Sequence, residues 1–128
     1  MGKYVYRSSV VGEAALETIR AVRPLLRRLE ERDEALAQQL VRALTNVVMA
    51  IGRAELPEQG NVRPHILSAV SSANEARALL QMIVDWRYCS WRSAKRAYEQ
   101  LNLTTRMLWD LAKQKRPRLL WLPTSRAS

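Results

Sequence analysis

EALAQQLVRALTNVVMAIGR, residues 34–53, decides the fold class. Leu36, Leu40, Leu44, Val47 and Ile51 recur every three or four residues, and Val48 widens the stripe. That spacing puts them on one face of a helix, with polar residues on the other. Asp33 stands where an N-cap belongs, and Gly52 and Pro57 mark the end.

The same period extends in both directions. Upstream, Val11, Ala15, Ile19, Val22, Leu26 and Leu29 form a stripe over a helix from about Ser9 to Arg32. Pro24 falls on its opposite side, near Arg20, Arg23 and Arg27, where a bend toward solvent is tolerable. Downstream of a turn region at 55–62, a third helix is expected over about 64–88, opened by Pro64. Its stripe is Ile66, Ala69, Val70, Ala73, Ala76, Leu80 and Ile83. Ala and Ser along it permit close approach of a neighbour, and Leu79, Val84 and Trp86 suggest burial on more than one side. A fourth helix, 91–114, has Ser90 as candidate N-cap and Ala94, Ala97, Tyr98, Leu101, Thr105, Leu108 and Ala112 inward. Pro117 ends it, and the tail 115–128 is expected to be extended.

No run of β-branched residues alternates with period two, so no sheet is expected. Four amphipathic helices joined mostly by short connections predict an all-α, antiparallel, up-down-up-down four-helix bundle. Its 128 residues suit one domain, 1–128.

Charge is concentrated at one end. The chain carries +9 overall. From Trp91 to Ser128 there are nine Lys and Arg against two acids, a net of +7. Residues 33–62 carry two Arg against four acids, a net of −2. A concentrated positive field attracts polyanions. On the fourth helix Arg92, Lys95, Arg96, Arg106 and Lys113 share one polar arc with Glu99 and Asp110. Such a row can follow a phosphate backbone and release counterions, or it can be a solvated face with local ion pairs. The cluster Lys113, Lys115, Arg116 and Arg118 that follows favours binding. Arg20, Arg23 and Arg27 make a second row. Glu13, Glu17 and Glu31 share that face, which favours an ion-pair ladder over a binding face.

The chain has four Trp, four Tyr and no Phe. Aromatics interleaved with Arg can stack bases, although packing is the commoner role. Leu119-Leu120-Trp121-Leu122 is an apolar patch that should dock on its own bundle or on a partner.

No motif points to catalysis, a metal or a cofactor. His65 is the one histidine, and no Gly-rich phosphate loop or G-x-S-x-G occurs. Cys89 stands alone, so it reads as a packed thiol and fits a reducing compartment. No apolar run approaches a membrane span or a signal-peptide core, so no membrane association and a cytoplasmic location are expected.

EALAQQLVRALTNVVMAIGRAE (34–55) and HILSAVSSANEARALLQMIVDW (65–86) resemble the second and third helices of the four-helix-bundle proteins encoded in 23S rRNA intervening sequences. The second segment carries their small-residue stretch and a Glu, here Glu75, before a Leu-rich run. Length, basic charge and tail resemble one branch more closely, the accessory variability determinant family of bacteriophage diversity-generating retroelements. The resemblance covers about 9–116. One departure is Ile51-Gly52, where the wider family carries an acid before the glycine.

The resemblance implies a barrel-shaped homopentamer in a bacterial host. It also implies a complex with the element's reverse transcriptase and with RNA and DNA, an RNA–DNA hybrid included. The protein would then support adenine-directed mutagenic cDNA synthesis. The residues themselves leave two other readings open. One is a protein–protein adaptor whose basic face meets an acidic partner, and the other is an enzyme working through His65 or Cys89.

Overall fold

The computed structural model describes residues 4–6, 9–56, 60–122 and 125–127. Pro57 and Pro123 lie outside them. Four helices make the body: α1 (Val10–Arg32), α2 (Glu34–Ala54), α3 (Arg63–Asp85) and α4 (Trp91–Lys113). α1 packs on α2 and α4, and α3 packs on the same two, so the four surround one core.

The helix starts follow from short polar side chains. Ser9, Asp33 and Ser90 are extended N-caps. Their side-chain oxygens accept from the amides of Gly12 (3.0 Å), Leu36 (3.0 Å) and Ser93 (3.1 Å). Each satisfies a donor that has no partner inside its helix. Asp33 is the single residue between α1 and α2. Its own amide donates to Leu29 O at 2.7 Å, closing one helix while its side chain opens the next.

The core follows the apolar period, shifted on α1 and also on α4, where Thr104 and Leu111 are buried while Tyr98 and Ala112 are only half-buried. Leu36, Leu40, Leu44, Val47 and Ile51 are all buried on α2. On α1 the buried row is Val11, Ala15, Thr18, Val22, Leu25 and Leu29, while Ile19 and Leu26 are half-buried. The row turns toward Thr18 and Leu25 because α1 must serve α2 and α4 together. Thr18 meets Thr104 of α4 with hydroxyl oxygens 3.3 Å apart. Each hydroxyl also bonds back to its own helix, at Ala14 O (3.1 Å) and Gln100 O (3.0 Å), so the buried pair has partners. The fully buried Leu29, Leu40, Ile66, Leu80, Ile83, Leu101 and Leu108 each contribute about 1.5–3 kcal/mol by burial. Pro24 is exposed, on the solvent side of α1 as expected.

α3 ends at Asp85, three residues before the expected boundary. Arg87 adopts φ +63°, the left-handed region. The Tyr88 amide donates to Ile83 O (3.0 Å) and the Arg87 amide to Val84 O (2.9 Å), a Schellman closure. Helical periodicity runs through Trp86–Tyr88 and gives no sign of this turn, which usually takes Gly.

Against the expectation of no sheet, the chain ends add a short antiparallel ribbon. β1 (Tyr4–Tyr6) pairs with β2 (Ser125–Ala127), with Tyr4 opposite Ala127 and Tyr6 opposite Ser125. Three residues per strand are too few to show alternation. The tail is held further by a Ser9–Trp121 bridge and by the Val10 amide donating to Leu120 O at 2.8 Å. Leu119 is buried in the core and Trp121 packs against it. The apolar tail patch therefore docks on its own bundle through Leu119 and Trp121, while Leu120 stays 70% exposed.

Gly12 permits this junction. A Cβ there would lie 2.7 Å from both Ser9 Oγ and Glu55 Oε2. Those atoms form the link between α1's start and α2's end. The Ser9 hydroxyl donates to Glu55, and the Ser9 amide donates to the same carboxylate at 3.3 Å.

Candidate nucleic-acid interface

All five cations of the α4 polar arc, Arg92, Lys95, Arg96, Arg106 and Lys113, are exposed. The helix presents them because Ala94, Ala97, Leu101, Thr104, Thr105, Leu108 and Leu111 fill the opposite face. Among the described residues, Lys95 alone of the five pairs with a carboxylate, Glu99 at 3.9 Å. Both partners are more than half exposed, so this pair is worth little. The arc spans about 32 Å from Arg92 to Lys113 at the helical rise.

Lys115, Arg116 and Arg118 continue the positive surface beyond α4, and all are exposed. Their backbone is anchored from a distance. Arg63, at the start of α3, donates from Nε to Ala112 O (3.2 Å) and from Nη2 to the carbonyls of Gln114 and Lys115, the latter at 3.2 Å. The end of a helix leaves carbonyls without partners and carries partial negative charge. A guanidinium there satisfies both. The Arg118 amide donates to Gln114 Oε1 at 3.0 Å, which fixes the next turn. Arg63 is a structural cation that sequence reading missed, because its partners lie about fifty residues away and are backbone atoms.

The α1 row differs. Arg20 donates to Glu13 at 2.8 Å and to Glu17. Those carboxylates, Glu13 first, hold its pKa above the ordinary value. Arg27 lies 3.9 Å from Glu31. Arg23 is exposed and pairs with no carboxylate among the described residues. Arg20 alone of the three is held firmly within its own helix, because the Arg27–Glu31 pair, like Lys95–Glu99, is more than half exposed and worth little.

Aromatic side chains stand beside the α4 cations. Trp91 meets Tyr98 edge-on with centroids 5.5 Å apart, and Trp86 stacks near Tyr88 at 6.5 Å. Trp86, Trp91 and Trp109 are exposed. Between α3 and α4, besides the Arg63 bond to Ala112 O, Gln81 Nε2 donates to the Tyr98 hydroxyl (3.0 Å) and Arg77 Nη1 to Asn102 Oδ1 (3.4 Å).

Cys89 is buried, and burial pushes its thiol pKa up against the opposing pull of Arg28 and Arg32. Among the described residues, no three His, Cys, Asp or Glu side chains are grouped to hold a metal ion, and no helix is long and apolar enough to cross a membrane.

No protein-family model and no curated protein matches the chain. Among solved structures, the bundle is similar to a protein of unknown function from the S23 ribosomal protein family of Bacteroides thetaiotaomicron VPI-5482. The TM-score is 0.72 at 20% sequence identity, covering 82% of this chain and 100% of the other. That likeness places the chain in the same all-helical fold as an S23-family protein.

Proposed function

We propose that this chain is a non-enzymatic accessory protein that binds nucleic acid and a reverse transcriptase, supporting adenine-directed cDNA synthesis in a diversity-generating retroelement. The observation that carries the reading is the continuous basic surface of α4 and the tail, where most cations lack a carboxylate partner among the described residues. Spaced cations on a rigid helix bind phosphates without reading sequence. The S23-family fold and the resemblance of 34–55 and 65–86 supply the biological setting.

The helices alternate in direction, up-down-up-down, in this reading. Its support is the meeting of opposite ends, Ser9 with Glu55 and Arg63 with Gln114. The bundles assemble as a homopentamer. Exposed Val41, Met49, Leu67, Met82 and Leu103 provide apolar surface for subunit contacts. Leu120, held outward on a docked tail, supplies an anchor for a protein partner such as the reverse transcriptase.

Light scattering coupled to size exclusion, with and without a short RNA and an RNA–DNA hybrid across a salt series, tests this. A mass near five chains and binding that falls steeply with salt are expected. A monomer indifferent to nucleic acid would overturn the proposal and leave an adaptor for an acidic protein.

A further inference from the structure

The α4 arc binds phosphate, but an arc of cations does not distinguish single strands from duplex. A hollow beside it does. Asn74 and Arg77 of α3 and Asn102, Arg106, Trp109 and Lys113 of α4 are among the residues lining a groove of about 620 Å³. Three cations there face one carboxylate, Asp110. Trp109 stands at the groove 43% exposed, an indole that core packing leaves partly uncovered.

Arg106, Trp109 and Lys113 follow one another at spacings of three and four on α4. They share a face and rise over about 10 Å. Arg77 is turned toward them from α3 by its bond to Asn102. An aromatic plane flanked by cations one turn away on each side offers a base a ring to stack on and its phosphates a charge on either side. A duplex keeps its bases stacked on one another and has none to offer.

We propose that the α3–α4 groove is a single-strand site, in which Trp109 stacks an unpaired base while Arg106, Lys113 and Arg77 hold the flanking phosphates. This rests on the nucleic-acid reading above and narrows it to unpaired RNA or DNA. The exposed indole decides the occupant: an acidic peptide would satisfy the cations but would leave the Trp109 face without a stacked base.

The test is fluorescence anisotropy on the full chain, with a labelled single-stranded oligonucleotide and the corresponding blunt duplex at equal salt. Trp109→Leu keeps apolar bulk and removes the π-face, while Trp109→Phe restores a ring. The expected result is a loss of about tenfold in single-strand affinity for W109L, near wild-type affinity for W109F, and duplex affinity unchanged in both. Arg106→Gln should weaken both ligands. It serves as the second variant if circular dichroism shows W109L misfolded, and quenching of tryptophan emission by the single strand that is present in the wild type and lost in W109F then stands in for the W109L comparison. Wild-type single-strand affinity in W109L, an equal loss for duplex, or a changed mass of W109L by light scattering would overturn the groove assignment while leaving the basic-surface reading intact. A wild-type chain that binds neither ligand would overturn both.

Discussion

α1 and α4 each carry a row of exposed cations, and the two rows differ in what faces them. On α1, Arg20 is held by Glu13 and Glu17, and Arg27 lies near Glu31. On α4, Arg92, Arg96, Arg106 and Lys113 face solvent with no carboxylate in ion-pair range among the described residues. A polyanion approaching α1 must compete with charges already in place. One approaching α4 meets five cations against Glu99 and Asp110, and displaces mainly water and counterions. Formal charge along a helix is therefore a poor guide to a binding face, and the partners of each charge decide.

Neutralising the α4 row should produce the largest effect. Arg92→Gln, Lys95→Gln and Arg96→Gln together should weaken RNA binding by about 100-fold at moderate salt, about 2.7 kcal/mol. The helical circular dichroism signal should be unchanged, since all three side chains are exposed.

Next comes the point where α1 uses its polar groups for the fold. Gly12→Ala puts a methyl 2.7 Å from Ser9 Oγ and Glu55 Oε2. Urea unfolding should show a net loss of about 1.5 kcal/mol, because moving those side-chain ends breaks the Ser9 cap and its bond to Glu55 while alanine returns about 1 kcal/mol of helix propensity, and equal stability would mean the junction relaxes freely.

Arg63→Met isolates the support beneath the α4 surface. It removes the donors that hold the last carbonyls of α4. A loss of about 1–1.5 kcal/mol is expected by thermal unfolding, with faster hydrogen exchange at residues 114–118.

The smallest effect belongs to α1. Arg20→Gln, Arg23→Gln and Arg27→Gln together should change RNA affinity by less than about threefold, because Glu13, Glu17 and Glu31 offset the three cations on that face. A loss matching that of the α4 variant would erase the distinction between the rows.

The helices were legible because α2's Leu36–Leu40–Leu44–Val47–Ile51 period and the caps Asp33 and Ser90 are local signals. Period also placed Arg92, Lys95, Arg96, Arg106 and Lys113 outward, since inward alanines and leucines leave no other face. What stayed hidden required knowing which helices are neighbours. The Arg63 anchor, the Ser9–Glu55 link and the groove joining Arg77 to Trp109 each combine residues from separate helices. Arg87 escaped for a different reason. Its left-handed turn sits on a residue that usually avoids that conformation, so the composition carried no warning.

The most direct measurement is the slope of log affinity against log salt for a single-stranded RNA. It should be taken on the wild-type chain, the α4 triple variant and the α1 triple variant. The α4 substitutions should reduce the slope by about 2, roughly 0.7 per phosphate contact on a single strand, while the α1 substitutions should reduce it by no more than about 1. Equal slopes for wild type and the α4 variant would contradict the claim that α4 meets the phosphate backbone.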